Sequence, residues 1–174
     1  MAKRSDQKLD LTARLVVGGI AGFVATMAMT AAMRRLHAKL PAKERYHLTP
    51  REIIDTTLAP PPAIAPDLTL AAHFAYGAAC GALIAAASPR VGRLGGAAAG
   101  GGIWLASYMG WIPAIGALKP ATGHPLRRNL VMLSAHFAWG WSTAEGMKEL
   151  ARSRATIFAT GPDRDAPASV ARRT

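Results

Sequence analysis

Two histidines, His73 and His136, stand inside long stretches free of Asp, Glu, Lys and Arg. Each sits in nearly the same phrase: Ala72-His73-Phe74-Ala75-Tyr76-Gly77 returns as Ala135-His136-Phe137-Ala138-Trp139-Gly140. Imidazole titrates near neutral pH, ligates metals and can donate or accept a hydrogen bond. Burying an ionisable group in a membrane-type segment costs free energy, which makes each histidine a functional candidate. Three chemistries suit the pair. As neutral imidazoles they would donate to backbone carbonyls or to Ser107, Tyr108 or Ser134 and tie helices together, at about 1 kcal/mol per bond in lipid. This structural role is the simplest account. The pair would also suit a proton or small-ion path, with Glu145 in support. A third use is haem b, whose iron takes axial histidines from neighbouring helices. Zinc asks for more ligands than the two histidines and Cys80 supply.

No catalytic pattern accompanies them. The chain has no G-x-S-x-G, no H-E-x-x-H, no phosphate-binding loop and no paired carboxylates inside an apolar stretch. The expectation is a non-enzymatic structural or accessory protein. A proton or ion transporter is the alternative and a haem protein the next. His37, His47 and His124 lie in loops or at segment ends and read as solvated. Glu145 lies about 180° around an ideal helix from His136. Near Lys148 and Glu149, it reads as part of an interfacial ion pair.

Spanning the hydrocarbon core as a helix takes roughly 20 apolar residues. Four stretches qualify, at about 15–33, 68–89, 94–112 and 129–147, with Pro113 expected to end or kink the third. A water-soluble four-helix bundle would need a polar stripe on each helix, and these stretches have none. The expected fold is therefore all-α: an integral membrane four-helix bundle over residues 1–150, followed by a disordered basic tail over 151–174. The first span follows Lys3, Arg4, Lys8 and Arg14, as a signal peptide would. It exceeds the roughly 7–15 apolar residues of such a signal and runs into Arg34-Arg35, so it reads as a retained anchor.

Lys and Arg number 21 against 10 Asp and Glu, for a net charge of +11. Most of this charge lies between and beyond the apolar stretches, which suits anionic lipid headgroups and argues against nucleic acid. The mean hydropathy of +0.16 averages over that split. One cysteine excludes an internal disulfide.

In lipid, small residues let helix backbones approach closely. Gly18 and Gly22 form such a stripe in the first span, Gly77 and Gly81 in the second, Gly96 and Gly100 in the third and Gly140 in the fourth. These faces would pack within the bundle or join copies in a homo-oligomer. Spans one and three open glycine-rich, while spans two and four carry the histidine phrase. The chain therefore reads as two duplicated hairpins in parallel, with His73 and His136 at similar depth. Between spans one and two, Thr49-Pro50-Arg51-Glu52 reads as a capping box that opens a short helix, and Pro60-Pro61-Pro62 ends it. That helix would lie on the membrane surface or pack across the mouth of the bundle. Twelve lysines and arginines on the side of the termini against nine in the other two loops favour cytoplasmic termini.

The run Ser134-Ala135-His136-Phe137-Ala138-Trp139-Gly140-Trp141, followed by an acidic residue and Lys148, joins the earlier histidine and the glycine-rich third span. Over roughly residues 68–150 this resembles the YagU-like family of uncharacterised bacterial inner-membrane proteins. The resemblance implies a multi-pass protein of a bacterial inner membrane and supplies no reaction.

Overall fold

The computed structural model describes residues 9–159, which are helical with no strand among them. The long helices are α1 (Leu11–His37), α3 (Ala65–Ala87), α4 (Arg93–Ala106) and α6 (Leu126–Ala155). The short α2 (Thr49–Leu58) links the first two. A π-helical segment (Ser107–Trp111) continues α4 into a single turn, α5 (Ile112–Ala114).

Local chemistry sets these boundaries. Asp10 caps α1 by accepting from the Ala13 amide at 2.6 Å, and Arg34 and Arg35 in the last turn meet the negative end of the helix dipole. Helix α2 ends at Ala59, whose φ of 42° is left-handed, just before the three prolines. The third apolar stretch departs from a plain helix at Ser107, ahead of Pro113. Proline lacks an amide and crowds the carbonyl four residues back. The wider π turn absorbs that mismatch, and Ile112 N–H donates to the Ser107 carbonyl. The helical path then closes at Gly116, with φ 73°.

Glycine-to-backbone contacts decide the packing. Gly22 lies against Gly77 and Gly81, with a Cβ there only 2.9 Å from Gly81 Cα. Gly18 lies against Gly81 and Ala85. On the other side Gly96 meets Gly140 and Ala144, and Gly100 meets His136 and Gly140. Both pairs, α1 with α3 and α4 with α6, run antiparallel. Helix α1 also packs on α6, where the indole N–H of Trp139 donates to the Gly22 carbonyl at 3.1 Å. The helices thus follow the order α3, α1, α6, α4, and the seam between α3 and α4 is not closed by close packing.

The packing contacts recur in the register of the sequence phrase. That phrase aligns Gly77 with Gly140 and Gly81 with Ala144, and Gly22 meets Gly77 and Gly81 as Gly96 meets Gly140 and Ala144.

Two helices, α1 and α3, are long and apolar enough to cross a membrane by length and composition. The expectation of four such helices meets a physical limit in the other two. The α-helical part of α4 stops at Ala106, and α6 takes in Arg127 and Arg128 at one end and Glu145, Lys148 and Glu149 towards the other. Helix α6 also continues to Ala155, into the stretch expected to be tail. Residues 160–174 of that expected tail lie outside the described residues.

Candidate functional site: a histidine-lined chamber

A cavity of about 230 Å³ lies between the helices towards the α2 end. Helix α1 contributes Thr26 and Met29, while α2 closes the top with Thr49, Pro50, Ile53 and Ile54. The walls carry no Asp, Glu, Lys or Arg. His73 on α3 and His136 on α6 both line it, so the fold brings the repeated histidines to one chamber. Helices α3 and α6 are held apart by the cavity and by α1.

The two imidazoles are held differently. His136 is 9% exposed, and its Nδ1 lies 2.8 Å from the Met132 carbonyl oxygen one turn back. A carbonyl only accepts, so Nδ1 carries the proton and Nε2 keeps its lone pair. The Nε2 of His73 is buried with no hydrogen-bond partner among the described residues. Cys80, free and buried, lines the same chamber.

The π-helical segment adds further polar groups where it meets α3. The Tyr76 hydroxyl on α3 and the Ser107 hydroxyl are 2.9 Å apart, and the Trp111 indole N–H donates to Ser107 at 3.2 Å. The rings of Tyr76 and Trp111 lie 5.9 Å apart. Both residues line the chamber, yet they are 40% and 39% exposed on the outer surface. They form a mouth at the seam between α3 and the π segment. Extra turns of this kind recur where a helix must present side chains to a site.

Helix α2 is fastened over the chamber by side chains that its sequence assigns to a capping box. That box does not form, since Leu48 is the N-cap and no side chain caps the helix. Thr49 instead hydrogen-bonds the buried Tyr108 hydroxyl, and the Glu52 carboxylate accepts from Arg128 at 3.1 Å. Tertiary partners outcompete the local ones. The helix packs across the mouth of the bundle, the second of the two placements open to it.

Arg128 is the residue that sequence reasoning passed over. Its side chain is fully buried, although it follows Arg127 at the start of α6 and looks like an interfacial charge. It donates to the carbonyls of Tyr46 and His47, and its guanidinium lies 3.7 Å from the Tyr46 ring centroid. Tyr46 in turn reaches His124 Nδ1 through its hydroxyl at 3.0 Å and His37 Nε2 through its carbonyl at 3.1 Å. His37 and His124 are thus hydrogen-bonded to the protein rather than simply solvated. The available signal was compositional: two aromatic or carboxylate partners, Tyr46 and Glu52, flank the loop that a cation must anchor.

At the opposite end Glu145 forms the expected ion pair with Lys148, at 3.9 Å. It accepts a bidentate pair from Arg93 at 2.7 and 2.9 Å, joining α4 to α6. No group of three or more metal-ligating side chains occurs among the described residues. Comparison of the chain with family models, with curated proteins and with solved structures found no match.

Proposed function

We propose that this is a multi-pass protein of a bacterial inner membrane, non-enzymatic and accessory in role, whose four long helices enclose a chamber in the leaflet on the α2 side. The observation that carries this reading is the distribution of apolar surface. Large apolar side chains point outward on every long helix: Phe23 and Met27 on α1, Leu83 on α3, Leu105 on α4, and Leu130 and Phe137 on α6. Inside, glycine and alanine make the tight helix contacts, and methionines, Trp139, threonines and the buried Arg128 fill the space between. Water-soluble monomers rarely expose more than a few hundred Å² of contiguous apolar surface, whereas in lipid such a surface is the solvated one. The path from Arg93 through Ala114 rises about 33 Å at roughly 1.5 Å per residue, enough to cross the hydrocarbon core. The resemblance to YagU-like inner-membrane proteins points the same way. Washing isolated membranes at alkaline pH with carbonate tests the reading: the protein is expected to stay in the pellet, and release into the supernatant would overturn it.

A haem b role is favoured by one observation, that His73 and His136 face a common chamber. Its volume of about 230 Å³ lies below the roughly 300–1,000 Å³ of pockets for drug-sized ligands, so a macrocycle would require the helices to part. A reduced-minus-oxidised spectrum of the purified protein decides this: a Soret band lost in His73→Ala and His136→Ala supports haem, and a featureless spectrum removes it. Ion transport through the pair meets an obstacle beyond the chamber, where the contacts of Gly18 with Gly81 and of Gly96 with Gly140 close the bundle. A pH-dependent flux in proteoliposomes, absent from His136→Ala, would restore that reading.

A further inference from the structure

We propose that the chamber binds an uncharged, lipid-soluble ring compound of the quinone class, admitted from the bilayer between Tyr76 and Trp111. The inference rests on the membrane reading above, because only then does the mouth open onto lipid. Four features of the chamber carry it.

The first is charge. No ionised side chain lines the walls, so a charged ligand would lose its hydration with nothing to replace it. The second is the pair of imidazoles. The Nε2 of His136 offers a lone pair, and the buried Nε2 of His73 has no partner among the described residues. A buried polar atom left unsatisfied is destabilising, and a ligand that completes it recovers that loss. Helices α3 and α6 present the two imidazoles from separate walls of the chamber. A ring with hydroxyls at opposite edges, the reduced quinol, matches this: one hydroxyl donates to His136 Nε2 and the other bonds His73 Nε2, accepting when that nitrogen is protonated and donating when it is not.

The third is shape. Tyr76, Tyr108, Trp111 and Trp139 give the chamber aromatic walls, and about 230 Å³ accommodates a ring-sized headgroup. The fourth is access. Tyr76 and Trp111 reach both the chamber and the outer surface. They meet through the Ser107 hydroxyl and through their rings, so the mouth opens by breaking two hydrogen bonds and that ring contact while the glycine-packed core stays intact. A long apolar tail would then remain in the bilayer.

The test uses the full chain purified in mild detergent and titrated under nitrogen with decylubiquinol, the reduced form, read by quenching of tryptophan emission, with helical content checked by circular dichroism. Saturable quenching is expected. The apparent affinity should fall on the order of tenfold in His73→Leu and in His136→Leu, and binding should be lost in Ala72→Phe, which fills the chamber. Dodecanol, which shares the tail chemistry and lacks the ring, should not compete. Quenching that fails to saturate in the folded wild type would overturn the proposal. So would quenching unchanged in both histidine variants and in Ala72→Phe, or displacement by dodecanol as effective as by the quinol. Carbonate extraction of the same protein is independent of ligand, so a protein that stays in the membrane and ignores the quinol rejects the ligand and leaves the membrane reading standing.

Discussion

Arg128 and His73 place two costly polar groups inside the bundle, and they are compensated to different degrees. Arg128 is enclosed by carbonyls, a carboxylate and an aromatic face, with only its Nε left without a hydrogen-bond partner among the described residues. Removing one partner of a buried charge leaves the others unsatisfied, which is more damaging than never having the pair. Arg128→Met should therefore destabilise the folded protein by about 3 kcal/mol and free α2. Glu52→Gln should cost about 1 kcal/mol, because that carboxylate is 23% exposed and water replaces part of the bond. Thermal unfolding in detergent measures both, and equal losses would deny Arg128 its anchoring role. His73 is the opposite case. With its buried Nε2 unpartnered among the described residues, His73→Leu should raise ligand-free stability by about 1 kcal/mol. His136→Leu should not, since it gives up the bond to Met132. A lower melting temperature for His73→Leu would mean that the imidazole is already satisfied. The sequence marked both histidines because imidazole stands out in an apolar stretch. It hid Arg128 because one arginine beside another at a helix start looks like an interfacial charge, and burial depends on a loop that approaches from the far side of the chain.

At the scale of elements, backbone contact at glycine sets which helices pair. A Cβ at Gly140 would run into the Gly96 carbonyl and lie 2.8 Å from Gly96 C and 3.0 Å from Gly100 N. These are backbone atoms that cannot rotate away. Gly140→Ala should cost about 2 kcal/mol by overpacking. Gly102, on the same glycine-rich helix, has nothing within 4 Å, so Gly102→Ala should be neutral or stabilise by about 0.5–1 kcal/mol through helix propensity. A stability titration with a denaturing detergent compares the two, and matching effects would contradict the packing described. Spacing alone made these stripes legible, because residues three and four apart share a helix face. It did not reveal which helices meet: Gly22 of α1 lies on Gly77 and Gly81 of α3, and Gly96 of α4 lies on Gly140 and Ala144 of α6. A four-residue slide keeps every residue on its face, so pattern alone cannot set the depth of contact. The π turn at Ser107 was equally hidden, since Pro113 announces a disturbance and not where the chain absorbs it. The capping box failed for a related reason: Thr49 and Glu52 had better partners in Tyr108 and Arg128 than in their own helix.

For the whole molecule, the helical class was readable from the alternation of apolar and basic stretches. The chamber was not. It arises because α1 and α6 sit between α3 and α4, leaving a gap that α2 roofs and that the outermost helices do not close. The four-helix crossing turns on α4, whose α-helix is short and continues through the π segment. The most direct measurement therefore brackets that segment. In a Cys80→Ala background, single cysteines at Ser88 and Lys119, both exposed and on either side of it, are treated in intact cells with a membrane-impermeant maleimide. Lys119→Cys should label at once and Ser88→Cys only after permeabilisation, with the α2 side outward. The reverse pattern would keep the crossing and invert the orientation. Labelling of both sites from the same side would show that α4 does not cross, and the four-helix membrane account would fall.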